Sequence, residues 1–260
     1  MKKKEICTVI SQECIANDIY SMWIQTDEIA GAAVPGQFVS LYTGDPSRLL
    51  PRPISLCEID GAGGRLRLVY RVTGKNTGTE ILSRMKVGDT LEVLGPLGNG
   101  FPLKEAEGKR VFLMGGGIGI PPLVETARRL SDTADVTVIA GYRDQLFLQQ
   151  ELAGCGRLVV ATEDGSAGTR GNVMDAIREN DLTADVIFSC GPAPMLRAIK
   201  KYAQEQEIPC WISMEERMAC GIGACLACVC KSTEVDGHSH VHNKRICKDG
   251  PVFPASEVEL

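Results

Sequence analysis

Cysteines at positions 220, 225 and 228, followed at a distance by Cys247, constrain this chain more than any other feature. Three thiols in nine residues, spaced C-x4-C-x2-C with a remote fourth, match the plant-type [2Fe–2S] pattern. The intervening Gly221, Gly223 and Ala224 are small enough for backbone N–H groups to approach cluster sulfur, and such hydrogen bonds tune the potential. Four thiolates also suit tetrahedral zinc, but structural zinc usually takes two short-spaced pairs, and only Cys225/Cys228 forms one here. The chain has 11 cysteines. An odd count favours reduced thiols or metal ligands over a disulfide framework. Basic residues follow Met1, but Glu13 ends the apolar run before a secretory core can form. Cys7, Cys14, Cys57, Cys155 and Cys210 read as small hydrophobes, Cys230 as a spare thiol.

The rest of the chain changes grammar twice. Residues 1–101 read as short strands broken by turn glycines. Arg65–Val72 alternates apolar and polar residues, Phe38–Thr43, Ile54–Ile59 and Thr90–Leu94 are comparable, and Thr79–Met85 suits a short helix. Many close strands with little helix indicate an antiparallel β-barrel. Residues 102–213 alternate strands (Val111–Met114, Val136–Ala140, Leu158–Thr162, Val186–Ser189) with helices (Pro122–Leu130, Gln145–Leu152, Asn172–Glu179, Pro194–Gln206). That is the signature of βαβ units and a parallel sheet. Residues 214–260 form neither pattern and make a small cysteine-rich domain. The expected class is therefore α+β multidomain: a barrel, an α/β nucleotide domain and a metal-binding appendage. His238, His240 and His242 alternate and would share one face of a strand; the reading preferred is an exposed polar hairpin between Cys228 and Cys247.

Two loops carry nucleotide chemistry. Gly115, Gly116, Gly117 and Gly119 lie between an apolar strand and a helix opening at Pro121-Pro122, where bare backbone can approach a phosphate. This is neither the dinucleotide fingerprint, since Ile120 stands at its third glycine, nor a Walker loop, since no Gly-Lys-Ser/Thr follows. Cys190-Gly191-Pro192 closes a later strand at the carboxyl edge of the sheet, where ligands of open α/β sheets bind. Cys190 is the one candidate for a catalytic side chain. Upstream, Arg52-Pro53-Ile54-Ser55 enters a barrel strand.

Together these three motifs resemble the ferredoxin–NADP⁺ reductase superfamily. By that resemblance Arg52 faces the pyrophosphate of FAD, Pro53 and Ile54 continue the motif, and Ser55 lies near the isoalloxazine. Val69, Tyr70, Arg71, Gly78 and Thr79 hold the rest of the flavin. Gly115, Gly116, Gly117, Gly119, Cys190, Gly191 and Pro192 take the pyridine nucleotide. With Cys220, Cys225, Cys228 and Cys247 added, the order of parts is similar to the electron-transfer subunits of B-type dihydroorotate dehydrogenases. The similarity spans the whole chain, with Arg245–Phe253 among its most specific stretches. It implies that electrons from dihydroorotate, oxidised at FMN in a separate catalytic subunit, pass through a [2Fe–2S] cluster and FAD to NAD⁺ in pyrimidine biosynthesis. It implies a two-plus-two heterotetramer. NAD is favoured over NADP because Arg143 stands beside Asp144 and Glu163-Asp164 adds negative charge. The alternatives are a diaphorase-type subunit of a hydrogenase, sulfite reductase or ferredoxin-linked transhydrogenase, and a non-redox zinc module.

Composition narrows the partners. Apolar residues make up 44% and charged residues 23%, which is ordinary globular usage. A net charge of −5 leaves no basic footprint for nucleic acid. The longest uncharged apolar stretch, Val111–Val124, is too short and too broken by glycine and proline to span a bilayer. A cytoplasmic protein is expected.

Overall fold

The structure, a computed structural model, describes residues 2–235, 237 and 240–260. Among them, six antiparallel strands close into a barrel: β1 (Lys3–Ala16), β2 (Ile19–Gln25), β3 (Phe38–Tyr42), β4 (Arg52–Asp60), β5 (Arg65–Arg71) and β6 (Thr90–Leu97). Their order around the barrel is β1-β2-β5-β4-β3-β6. Period-2 alternation explains the closure. Leu66, Leu68 and Tyr70 of β5 fill the barrel with Val39 and Leu41 of β3. Val69 and Phe38 point outward and are buried against the following segments instead. Two short helices, α1 (Ile29–Ala32) and α2 (Gly78–Ser83), complete this part. The second begins at the Thr77 cap, whose hydroxyl accepts from Glu80 N at 3.3 Å, so it lies slightly ahead of the expected Thr79–Met85.

The central sheet is built from β7 (Arg110–Gly116), β8 (Asp135–Tyr142), β9 (Arg157–Thr162), β10 (Thr169–Arg170), β11 (Val186–Cys190) and β12 (Cys210–Ser213), all parallel where they pair. Helices α3 (Pro121–Leu130), α4 (Gln149–Ala153), α5 (Val173–Glu179) and α6 (Ala193–Glu205) connect them. In the last segment, β13 (Val229–Lys231) and β14 (Asn243–Arg245) form an antiparallel hairpin, and β15 (Val252–Pro254) follows. The sheet runs β10-β9-β8-β7-β11-β12-β15, with β15 antiparallel to β12. The chain's final segment thus supplies an edge strand to the central sheet.

One helix differs from expectation. The stretch Gln145–Leu152 is helical only from Gln149, because Leu148 sits at φ 61° and the Tyr142 hydroxyl bonds the Phe147 carbonyl at 2.7 Å. Phe147 and Leu148 are drawn into the core instead of winding a first turn. Among the described residues no helix is long and apolar enough to cross a membrane.

A chain of alternating charges ties barrel to sheet domain. Glu125 of α3 is fully buried, with Arg128 Nη2 at 2.8 Å and Arg129 Nε at 2.6 Å. Its Oε2 also accepts the backbone N–H of Ile59 in β4 at 3.2 Å. Arg67 of β5 bridges Glu58 at 2.6 Å and Glu151 of α4 at 2.8 Å. Removing Glu125 orphans a buried N–H, which costs about 1–3 kcal/mol, while the half-exposed arginines rehydrate. Glu125→Ala is therefore expected to destabilise the protein by about 1–3 kcal/mol in urea unfolding, and Glu125→Gln by less, because its amide oxygen still accepts from Ile59. Equal losses in the two variants would contradict this account.

Candidate functional site

A cleft of about 780 Å³ runs along the outside of the barrel where β4, β5, the β7–α3 loop and the start of the last segment meet. Arg52, Pro53, Ile54 and Ser55 line it, with Val69, Tyr70, Arg71 and Thr79. Of the nine residues expected at a flavin, only Gly78 is absent from the lining. A Cβ there would come within 2.9 Å of the Arg52 side chain, so Gly78 leaves room for that guanidinium. Arg52 Nη2 is held by the Leu50 carbonyl at 2.6 Å, while its buried Nε has no hydrogen-bond partner. An unpaired buried guanidinium N–H is costly and fits an anionic oxygen. Pyrophosphate is such a group, so the residues present fit FAD.

The glycine loop does more packing than cradling. A Cβ on Gly116 would meet Met195 Sδ at 2.6 Å and Pro192 Cδ at 3.0 Å, and one on Gly119 would collide with the Cys190 carbonyl. Gly115 is hemmed in by Ile120 and Leu123. Gly117, at φ 53°, is the open position, with Arg71 Nη2 3.8 Å from where its Cβ would stand. The expected free N–H groups at the start of α3 are few: Pro121 and Pro122 have none, and Leu123 N bonds Ile120 O at 3.0 Å. Cys190 pairs in register with Gly115 across β11 and β7, which brings Gly191 and Pro192 against the loop. Its thiol is wholly buried, and burial first, then Glu215, pushes it up despite a bond with Ser213. Cys190 is accordingly an un-ionised thiol sealed behind the two loops, and it lines no part of the cleft.

The four cysteines fall into two pairs. Cys220 Sγ accepts the backbone N–H groups of Ala224 at 3.3 Å and Cys225 at 3.4 Å, and the Cys225 side chain also bonds it. Cys228 Sγ accepts the N–H of Cys247 at 3.4 Å, and the Cys228 and Cys247 thiols interact directly. Burial raises the Cys220 thiol, but the donated N–H groups outweigh it and hold the thiol down at about 6. Burial pushes Cys247 up to about 12, and the neighbouring Cys228 adds to that. Four thiols in two pairs have the chemistry that an iron–sulfur cluster would need from its donors. Among the described residues no group of three or more His, Cys, Asp or Glu side chains is gathered closely enough to hold a metal ion. Cys230 stands apart, its Sγ 3.5 Å from the Lys244 carbonyl. His238 lies outside the described residues. His240, at φ 55°, and His242 are exposed beyond the β13–β14 hairpin, as the polar-hairpin reading expects.

Several lining residues carried no motif. Phe38, Leu50, Thr73, Ile118, Ser213, Met214, Glu215 and Met218 reach the cleft from five separate segments. Glu215 is an exposed side chain at the cleft, and partial desolvation by the protein around it raises its carboxyl above the usual range. Arg245 and Asp249 form a bidentate pair at 2.9 and 3.1 Å, and Arg245 Nη1 reaches the Gly223 carbonyl at 3.4 Å. This clip joins the turn that carries Cys247 to the Cys220–Cys228 loop. Its i, i+4 spacing around Cys247 was a readable signal.

Known proteins with this combination of parts point one way. The family model described as the iron-sulfur cluster binding domain of dihydroorotate dehydrogenase B matches residues 215–259, and the oxidoreductase FAD-binding domain matches residues 6–101. A relative from Geobacillus sp. (strain WCH70), named dihydroorotate dehydrogenase B (NAD(+)), electron transfer subunit, is 44% identical over 100% of both chains. A protein of the same name from Bacillus caldolyticus is 45% identical over 99% of each. Among solved structures, the NADH-dependent reduced ferredoxin-NADP oxidoreductase superposes with a TM-score of 0.83 at 30% identity, covering 97% of this chain and 89% of that one. A ferredoxin NADP⁺ reductase from Neisseria gonorrhoeae, TM-score 0.67 at 18% identity over 78% of this chain and 91% of its own, shares the fold.

Two substitution sets check this site. Serine at Cys220, Cys225, Cys228 or Cys247 is expected to abolish the [2Fe–2S] absorption and EPR signals, whereas Cys230→Ser keeps them; a cluster at full occupancy in Cys225→Ser contradicts the pairing. Arg52→Ala removes at least one charge-assisted hydrogen bond of about 1.5–3 kcal/mol, so FAD affinity falls tenfold or more in a flavin titration. Unchanged affinity would detach Arg52 from the flavin.

Proposed function

The chain belongs to the family of dihydroorotate dehydrogenase B electron transfer subunits, and from that premise we propose how its own residues carry electrons between a partner's dihydroorotate-oxidising centre and NAD⁺. The observation that bears most weight is the shared wall of the cleft: barrel residues, the Ile118 loop and Met214–Met218 of the cysteine-rich segment all line it. Flavin, nucleotide and cluster positions thereby adjoin one another. FAD takes and gives electrons in pairs or singly, which lets a two-electron nicotinamide exchange with a one-electron cluster.

Each part has a role in this reading. Residues 1–101 hold FAD, residues 102–213 the pyridine nucleotide and residues 214–260 the cluster. Arg52 Nε binds a pyrophosphate oxygen, oriented by the Leu50 carbonyl. Ser55, Val69, Tyr70, Arg71, Gly78 and Thr79 line or free the remaining length. Gly117 and the bare backbone beside it receive the nucleotide, while Gly115, Gly116, Gly119, Gly191 and Pro192 let the two loops close on each other. Cys220 and Cys225 ligate one iron, Cys228 and Cys247 the other. NAD is the nucleotide: Glu163 and Asp164 follow β9, and the exposed Arg143 is offset by Asp144, so a 2′-phosphate meets net negative charge.

Ile222, Leu226 and Val229 are exposed apolar residues beside the cluster cysteines. They offer a docking face for the FMN-bearing catalytic subunit, in a two-plus-two heterotetramer working in the cytoplasm. The structural likeness to a ferredoxin-NADP oxidoreductase keeps a diaphorase role with another partner as the second reading, but full-length relatives at 44–45% identity favour the first. The chain alone is expected to show flavin and [2Fe–2S] absorption bands and to reduce artificial acceptors with NADH. It is expected not to oxidise dihydroorotate until the catalytic subunit is added. Dihydroorotate-dependent NAD⁺ reduction by the isolated chain would overturn this division of labour.

A further inference from the structure

Ser40 sits where a barrel strand has no structural need of a hydroxyl. Its neighbours Val39 and Leu41 fill the barrel, so Ser40 faces outward with Phe38. It is 1% exposed, and its Oγ has no hydrogen-bond partner. A buried hydroxyl left unpaired costs about 1–3 kcal/mol, so such a group calls for a partner. The atoms it faces belong to the cysteine loop: a Cβ on Gly221 would lie 3.0 Å from Ser40 Oγ and 3.2 Å from Leu97 Cδ1. Gly221 is itself buried, at φ 68°, and directly follows Cys220. Glycine there allows both the left-handed turn and the close approach of the barrel.

The geometry points to Ser40 as a hydrogen-bond donor to sulfur on the Cys220 side of the cluster, a positioning and tuning residue contributed by the flavin barrel and not by the cysteine segment. Cys220 Sγ already collects N–H groups from Ala224 and Cys225. A further donor there stabilises the added negative charge of the reduced cluster and raises its potential. The placement also joins the two redox sites. Phe38 lines the flavin cleft and Ser40, two residues on, touches the cluster loop, so about 7 Å of extended strand separates the two contacts.

This inference rests on the reading that the four cysteines hold a [2Fe–2S] cluster, and the test separates the two. An EPR-monitored redox titration of the purified chain, flavin and cluster bound, compares wild type with Ser40→Ala and Ser40→Thr. Ser40→Ala is expected to make cluster reduction about tenfold less favourable, a fall of about 59 mV for a one-electron centre. The flavin midpoint should stay in place, and Ser40→Thr, which keeps the hydroxyl, should recover most of the cluster shift. A midpoint is read from whatever fraction carries the centre, so partial loading does not obscure it. A cluster midpoint in Ser40→Ala equal to wild type's, or a shift confined to the flavin, overturns the role of Ser40. A wild-type chain with no [2Fe–2S] signal would count against the cluster reading itself.

Discussion

Residues 214–260 are too few to bury their own thiols, and the arrangement of the whole chain depends on the apolar core that they borrow. Segments of that size do not fold on hydrophobic burial alone. Here Cys228, Ile246, Cys247 and Phe253 pack into one cluster with Phe38 and Leu97 from the barrel and Ile187, Leu196, Ile199 and Ile212 from the sheet domain. Three stretches of chain share that core. The β15 edge strand adds backbone pairing to β12, and Asn99 N bonds the Gly250 carbonyl at 2.6 Å. The cysteines are thereby fixed against the barrel before any metal chemistry is considered.

That anchoring has an electrostatic counterpart along β4 and β5 of the barrel. The run Arg129, Glu125, Arg128, Glu58, Arg67 and Glu151 alternates in sign across α3, β4, β5 and α4. Arginine suits such a run because its planar fork can serve two carboxylates at once. Such pairs add little net stability, but separating them leaves the buried Glu125 carboxylate and the partly buried Glu58 and Arg67 without partners, so the run resists rearrangement. The shared core and the charge seam both attach the barrel to the segments that follow it.

How much was legible in the sequence follows from how local each signal is. The cysteine spacing, the Arg52–Ser55 motif and the strand–helix alternation depend on near neighbours, and the alternation reappears in the fold except at Gln145–Leu148. β5 was readable because its alternation is unbroken. β1 was not, because bulges between Val9 and Ser11 and between Cys14 and Ala16 slip the pattern. β12 and β15, four and three residues long, are too short to show a period. Within the site, Met214, Glu215 and Met218 sit next to the cysteine motif but reach the flavin cleft only through the fold. Ser40 had no local signal whatever, as its partner segment lies far along the chain.

The glycines show how one residue type answers two different demands. In sequence, Gly115, Gly116, Gly117 and Gly119 look alike, as bare backbone awaiting a phosphate. In the fold, three of them are small because Cys190, Pro192, Met195, Ile120 and Leu123 occupy the space a side chain would need. Only Gly117 combines a left-handed conformation with open surroundings. Their requirement is thus mostly internal: two loops at the carboxyl edges of β7 and β11 must lie almost in contact, with Cys190 sealed behind them. The crevice is then shaped by loop against loop, and Gly117, which has open space around it, stands next to Arg71 of β5. A ligand entering there would meet the barrel as well as the sheet, because Arg71 lies across from the loop.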